Sequence, residues 1–291
     1  MKIKWQHRSY HWKDGKSLSV GEDPLVMGIL NVTPDSFSDG GIWNTHTKAV
    51  SHTMQMIEEG AAVIDVGAES SRPGHTPLTG EEETQRLMEF LPDVLKMSLV
   101  PVSIDSYHYE TMEKALSLGA HMVNDIWGFQ YDDGSMARVA ADFDVPVVLM
   151  HNQNGTDYEG DIIDGMKHFF DTSIEIALKA GVKAEHIILD PGIGFGKTGE
   201  QNMEILSRLT ELTGEYPCPW LLGVSRKRFI GTILDLPEAK DRDEGTAAVN
   251  VWGYDRGCTF FRVHHVKTSL RELRMWKALM EGKESLAAQS S

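Results

Sequence analysis

Eight short apolar runs, each of strand length and each followed by a longer stretch with helical spacing, constrain this chain more than any other feature. They are read at Leu25 to Asn31, Ala62 to Val66, Val100 to Ile104, His121 to Asn124, Val145 to Met150, His186 to Leu189, Trp220 to Gly223 and Phe260 to Val263. Such alternation specifies βα units around a parallel sheet, because apolar strands of this length need cover on both faces. The punctuation agrees: Thr47 to Glu59 stops at Gly60, Tyr109 to Leu118 stops at Gly119, and Thr79-Gly80-Glu81-Glu82 has the form of a capping box. Eight units within 291 residues favour an α/β fold of one (β/α)8 TIM barrel over a doubly wound sheet. A single domain is expected over 1–291, with an N-terminal extension or hairpin at 1–20 and a flexible tail at 285–291.

The charge balance narrows the partners. A formal net charge of -15 repels nucleic acid and anionic membrane surfaces, so an anionic ligand needs a local basic site. Only Cys218 and Cys258 are present, too few for a disulfide framework, which fits two inert thiols in a reducing compartment. The N-terminal segment lacks the apolar core of a signal peptide, and the longest apolar run, VPVVLM, is far short of a bilayer span. A cytoplasmic protein with no membrane or nucleic-acid partner is expected.

In a barrel the chemistry gathers where the βα loops converge, at the C-terminal ends of the strands. There the sequence sets Asn31, then Asp65 with Glu69, Ser71 and Arg72, then Asp105, Asn124, His151, Asp190, Ser225 with Lys227, and Arg262 with His264. Any one of these reads equally well as a helix cap or a satisfied turn. As a set they read differently, because VIDVG, PVSID and IILDPG each end an apolar strand on a carboxylate. Converging carboxylates repel or protonate unless something supplies N–H donors. Arg72, Lys227, Arg262 and His264 form a second, cationic subset, and GVSRKRFIG turns from strand into helix N-terminus as an anion site would. Of Arg226, Lys227 and Arg228, two are expected on a solvated face. The stretch DPGIGFGKTGEQN has Pro191 where a P-loop needs its first Gly, and it lacks the dinucleotide fingerprint, so nucleotide binding is rejected.

Taken in order, MGILNVTPDSFSDGG, DVGAESSRPG, SIDSY, VNDIWG, LMH, LDPGIGFGKT, GVSRKRFIG and RVHHV resemble the dihydropteroate synthase family of pterin-binding barrels, over residues 25–266. The resemblance implies a Mg2+-assisted (β/α)8 barrel, usually a homodimer. Its reaction would join 4-aminobenzoate to (7,8-dihydropterin-6-yl)methyl diphosphate, with release of pyrophosphate. It implies that Asn31 contacts Mg2+ near the diphosphate, with Ser71 and Arg72 nearby, and that Asp105, Asn124, Asp190 and Lys227 read the pterin. Arg262 and His264 would clamp the diphosphate, and Ser225 and Phe195 would frame the aminobenzoate. This sequence departs from the family pattern at Ser71, where Thr is usual, at His75, where an apolar residue is frequent, and at His265, where Asp is common.

The segments Asn31 to Trp43 and Ser70 to Thr79 are longer than an ordinary βα connection and carry Gly and Pro. They are expected to act as long βα loops 1 and 2 over the C-terminal face, with Pro34, Phe37 and Asp39 closing on the aminobenzoate and excluding water. Two other readings stay open: a different pterin-binding barrel, such as a methyltetrahydrofolate to corrinoid methyltransferase module, and a catalytically silent paralogue.

Overall fold

The computed structural model describes residues 3–32, 41–69 and 77–282, and for 41–46 only the backbone. The expected tail at 285–291, most of both long loops, and with them Pro34, Phe37, Asp39, Ser71, Arg72 and His75, lie outside the described residues.

A hairpin comes first, β1 (Arg8–His11) paired antiparallel with β2 (Ser17–Val20). Eight parallel strands follow: β3 (Leu25–Asn31), β4 (Val63–Gly67), β5 (Val102–Asp105), β6 (Met122–Asp125), β7 (Val147–Met150), β8 (Ile187–Asp190), β9 (Leu221–Leu222) and β10 (Phe260–Val263). They pair in the order β8-β7-β6-β5-β4-β3-β10-β9. The two ends of that ladder meet at a parallel bridge from Leu189 to Trp220, where the Leu189 N–H also donates to the Pro219 carbonyl at 3.0 Å. The result is the expected (β/α)8 barrel, closed at its β8–β9 seam by little more than that bridge.

Helices run between the strands as α1 (Gly41–Glu58), α2 (Gly80–Met97), α3 (Tyr109–Ser117), α4 (Ser135–Phe143), α5 (Ile162–Ala180), α6 (Gly199–Ser207), α7 (Thr210–Thr213), α8 (Arg228–Leu234), α9 (Asp243–Tyr254) and α10 (Val266–Glu281). The first of them begins at Gly41, six residues before the expected start at Thr47, so loop 1 is shorter than the sequence suggested. The capping box is formed: the Thr79 hydroxyl accepts from the Glu82 N–H at 3.2 Å and the Glu82 carboxylate accepts from the Thr79 N–H at 2.9 Å.

Strand period decides what faces inward. Met27, Val63, Met122, Val148, Ile188, Leu221 and Phe260 form one apolar cluster, and Tyr10, Leu18 and Val20 of the hairpin pack into it. This is the inner layer at the N-terminal pole, with the hairpin as its plug. Alternate strand residues, among them Val26, Ile64, Val102, Val123, Val147, Ile187, Leu222 and Phe261, belong to the larger cluster beneath the helices.

Candidate active site

Counting two residues on from the inner-layer positions gives the next layer, apolar at Ile29 and Met150, without a side chain at Gly223, and polar at the other four. Val63 leads to Asp65, Met122 to Asn124, Ile188 to Asp190 and Phe260 to Arg262, while Asp105 pairs across the ladder with Asn124. The same count puts Asp125 on the outer face, where it does a structural job: its carboxylate accepts from the Trp127 and Phe129 N–H groups, both at 2.8 Å. Burial pushes its pKa up to about 7 despite those two donors.

Arg262 ties the acids together. Its Nε donates to Asp65 Oδ2 at 2.6 Å and its Nη2 to Asp105 Oδ2 at 2.5 Å, and Asn124 Nδ2 donates to the same Asp65 oxygen at 3.1 Å. Burial works against the Arg262 charge, but the two carboxylates outweigh it and hold its pKa above the usual value. The conflict between converging acids is therefore met first by the chain's own guanidinium rather than by a ligand. That role for Asp65, fully buried, was not visible in the sequence, where it stood as one polar strand end among several. Asp105 remains poised: burial raises its pKa and Arg262 lowers it, leaving it at about 6.

Asp190 stands one strand pair further round. Its Oδ1 accepts from the Gly192 N–H at 2.7 Å, and burial outweighs that bond and the nearby Lys227 and Arg262 charges to bring its pKa to about 6. The Lys227 ammonium lies 3.8 Å from the centroid of the Phe195 ring, so both come to one place, as the sequence anticipated for the rim. Burial and Arg262 depress its pKa, Asp190 and Asp105 raise it, and it settles at about 8. Of its neighbours, Arg226 is not on a solvated face: it makes a two-pronged pair with Asp243 at 2.7 and 2.8 Å, and Arg228 alone of the three is exposed.

Ser225 and His264 form a pair on adjacent strand ends. The Ser225 oxygen accepts from the His264 backbone N–H at 3.1 Å and shares a second hydrogen bond with His264 Nδ1 at 2.9 Å. Asn31 ends β3 on the inward side. A Cβ built on Gly67 would stand 3.5 Å from Asp105 Oδ2 and 3.7 Å from Asn31 Oδ1, so these two oxygens face one gap above a residue without a side chain.

Among the described residues the structure thus brings Asn31, Asp105, Asn124, Asp190, Phe195, Ser225, Lys227, Arg262 and His264 to one pole of the barrel. Asp39, Ser71 and Arg72 lie outside the described residues. A groove of about 900 Å³ walled by Trp5, Tyr216, Tyr254 and Trp276 carries none of these groups.

The family model for pterin binding enzymes matches residues 27–264, which holds the whole polar layer. The dihydropteroate synthase of Clostridium beijerinckii is 47% identical over 264 residues, covering 89% of this chain and 96% of the relative. The chain belongs to the dihydropteroate synthase family of pterin binding enzymes. Among solved members, the Clostridium difficile enzyme with pteroic acid superposes with a TM-score of 0.86 at 46% identity, over 89% of this chain and 98% of that one. The Xanthomonas albilineans enzyme with 4-aminobenzoic acid also gives 0.86, at 36% identity, over 92% and 97%.

One departure from the dihydropteroate synthase pattern has a structural account. His265 is the N-cap of α10, and its Nδ1 accepts from the Thr268 N–H at 3.3 Å. Histidine there keeps the acceptor that an Asp would supply to the first turn, and gives up the negative charge.

Proposed function

We propose that this chain condenses (7,8-dihydropterin-6-yl)methyl diphosphate with 4-aminobenzoate to give 7,8-dihydropteroate and pyrophosphate. The observation that carries the reading is the inward polar layer. Asp105 and Asp190 offer carboxylate acceptors, Asn124 an amide and Lys227 a cation, matching the N–H donors and ring acceptor of an aminopterin edge. Family membership and relatives solved with pteroic acid or 4-aminobenzoic acid support the same assignment.

In the step we infer, the bond between the pterin methylene and the diphosphate oxygen breaks, and its electron pair leaves with pyrophosphate. Electron density from the dihydropterin ring stabilises the methylene cation, the arylamine nitrogen then donates its lone pair to that carbon, and the new ammonium gives up a proton. Side chains contribute by placing charge where it develops: Arg262 and His264 are assigned to the departing anion, with Arg72 assigned there from the sequence. Ser225 and Phe195 frame the aminobenzoate, and loops 1 and 2, with Asp39, are assigned to keep water from the cation.

Mg2+ belongs to the proposal. Asn31 Oδ1, beside the gap over Gly67, is a hard oxygen donor of the kind it takes. Among the described residues no group of three or more His, Cys, Asp or Glu is arranged to hold a metal, so the described residues' share of the ligands is read as the Asn31 oxygen, the rest coming from diphosphate and water. When bound, the ion neutralises charge collecting on the diphosphate. A cytoplasmic homodimer completes the reading. Helices α6, α8 and α9 pack side by side and expose Met203, Ile233, Leu234 and Trp252, apolar surface that a second copy would cover. No described helix is long and apolar enough to cross a membrane.

The test is pyrophosphate release measured with each substrate and Mg2+ withheld in turn. Release that requires both substrates and is raised by Mg2+ is the expected result. No release from the complete mixture would overturn the reading and favour another pterin-binding barrel or a silent paralogue.

A further inference from the structure

The turn between β8 and α6 buries a lysine that the reaction above does not use. Lys197 is 9% exposed. Its ammonium donates to His151 Nδ1 at 2.9 Å, to the Gly192 carbonyl at 3.0 Å and to the Phe195 carbonyl at 2.9 Å, with the His151 carbonyl farther off at 3.5 Å. Three protons meet three close acceptors, and none of those acceptors is charged. Burial, with Asp190 raising and Lys227 lowering, brings its pKa to about 7, so holding the cation here costs desolvation that an apolar side chain would avoid.

What the ammonium joins is specific. On one side is the end of β7, where the His151 N–H donates to the Asp190 carbonyl at 2.9 Å. On the other is the turn that seats three site groups. Its Gly192 N–H holds the Asp190 carboxylate, a Cβ on its Gly194 would come within 2.9 Å of Lys227 Cδ, and its Phe195 ring lies under the Lys227 ammonium. The turn is pressed so close that a Cβ on Gly192 would meet the His151 carbonyl oxygen at 1.9 Å.

We propose that Lys197 is a positioning residue: by fastening the Phe195 carbonyl to His151 it fixes the Phe195 ring, and through it the edge of the site that receives 4-aminobenzoate. The inference rests on the proposed function.

A double-mutant cycle tests it, using wild type, Lys197→Met, Phe195→Ala and the double variant, with kcat and KM for each substrate and a urea midpoint for every protein. Lys197→Met should lower kcat/KM for 4-aminobenzoate by at least about tenfold, yet by less than about threefold when added to Phe195→Ala, because the ring it positions is already gone. Equal losses in both backgrounds would overturn the proposal, since a purely structural lysine acts independently of Phe195. If Lys197→Met does not fold, Lys197→Gln, which keeps two N–H donors, enters the same cycle under the same criterion. An inactive wild type would instead sink the proposed function, so the two failures are distinguishable.

Discussion

At the scale of single residues, the site is held by one guanidinium shared between two acids. Removing it leaves Asp65 and Asp105 facing each other inside the barrel, so Arg262→Met should cost about 3–5 kcal/mol, read as a lowered urea midpoint. Two site pKa values also frame activity. Asp190, at about 6, must be ionised to accept from the pterin, so kcat/KM for the pterin substrate should fall as pH drops through 6. Lys227, at about 8, must be protonated, so the same parameter should fall again as pH rises through 8. A bell between those limits is the expected profile, and a profile flat from pH 5 to 9 would contradict it. The stability signs run the other way for the acid: a raised Asp190 pKa means the folded chain holds more protons than the unfolded one between about 4 and 6, so this group removes stability as pH rises there. Part of this was legible, since Asp105, Asn124, Asp190, Lys227 and Arg262 stood at or just beyond strand ends in the sequence, while the separation of inward Asn124 from outward Asp125 emerges only with the strand register. Lys197 was not: in DPGIGFGKTG it presents itself as a failed phosphate loop, and only the folded turn shows its carbonyl partners.

At the scale of elements, prolines explain why some strands start later than the apolar pattern suggests. Val100 and Val145 read as strand residues, yet β5 and β7 begin after Pro101 and Pro146, which have no N–H to give a ladder. Their carbonyls are still used, accepting from the Ile64 and Val123 N–H groups at 3.0 Å each. Helix α1 shows the opposite error: Asn44 and Thr45 are cap-type residues, so the start was read after them, whereas the helix already runs from Gly41. Where the cap signal was explicit, at Thr79, it formed, and it anchors α2 directly after the second long loop. Thr79→Ala should therefore cost about 1 kcal/mol in chemical denaturation, and no measurable loss would show that the box is idle in solution.

At the scale of the whole molecule, eight apolar runs were enough to specify a barrel because each strand is covered on both faces and each helix returns the chain to the same pole. The N-terminal hairpin was only half legible, since its role depends on Tyr10, Leu18 and Val20 meeting inner-layer residues far away in sequence. The net charge of -15 gives the molecule no general attraction for a diphosphate or a benzoate, so recognition has to be local. We assign that local recognition to the buried acids of the inner polar layer, gripping an aminopterin. Calorimetric titration of the pterin diphosphate into wild type and Asp190→Asn decides this assignment. Losing a charge-assisted bond of about 1.5–3 kcal/mol should weaken binding roughly 10- to 150-fold. Equal affinity in the two proteins would contradict it.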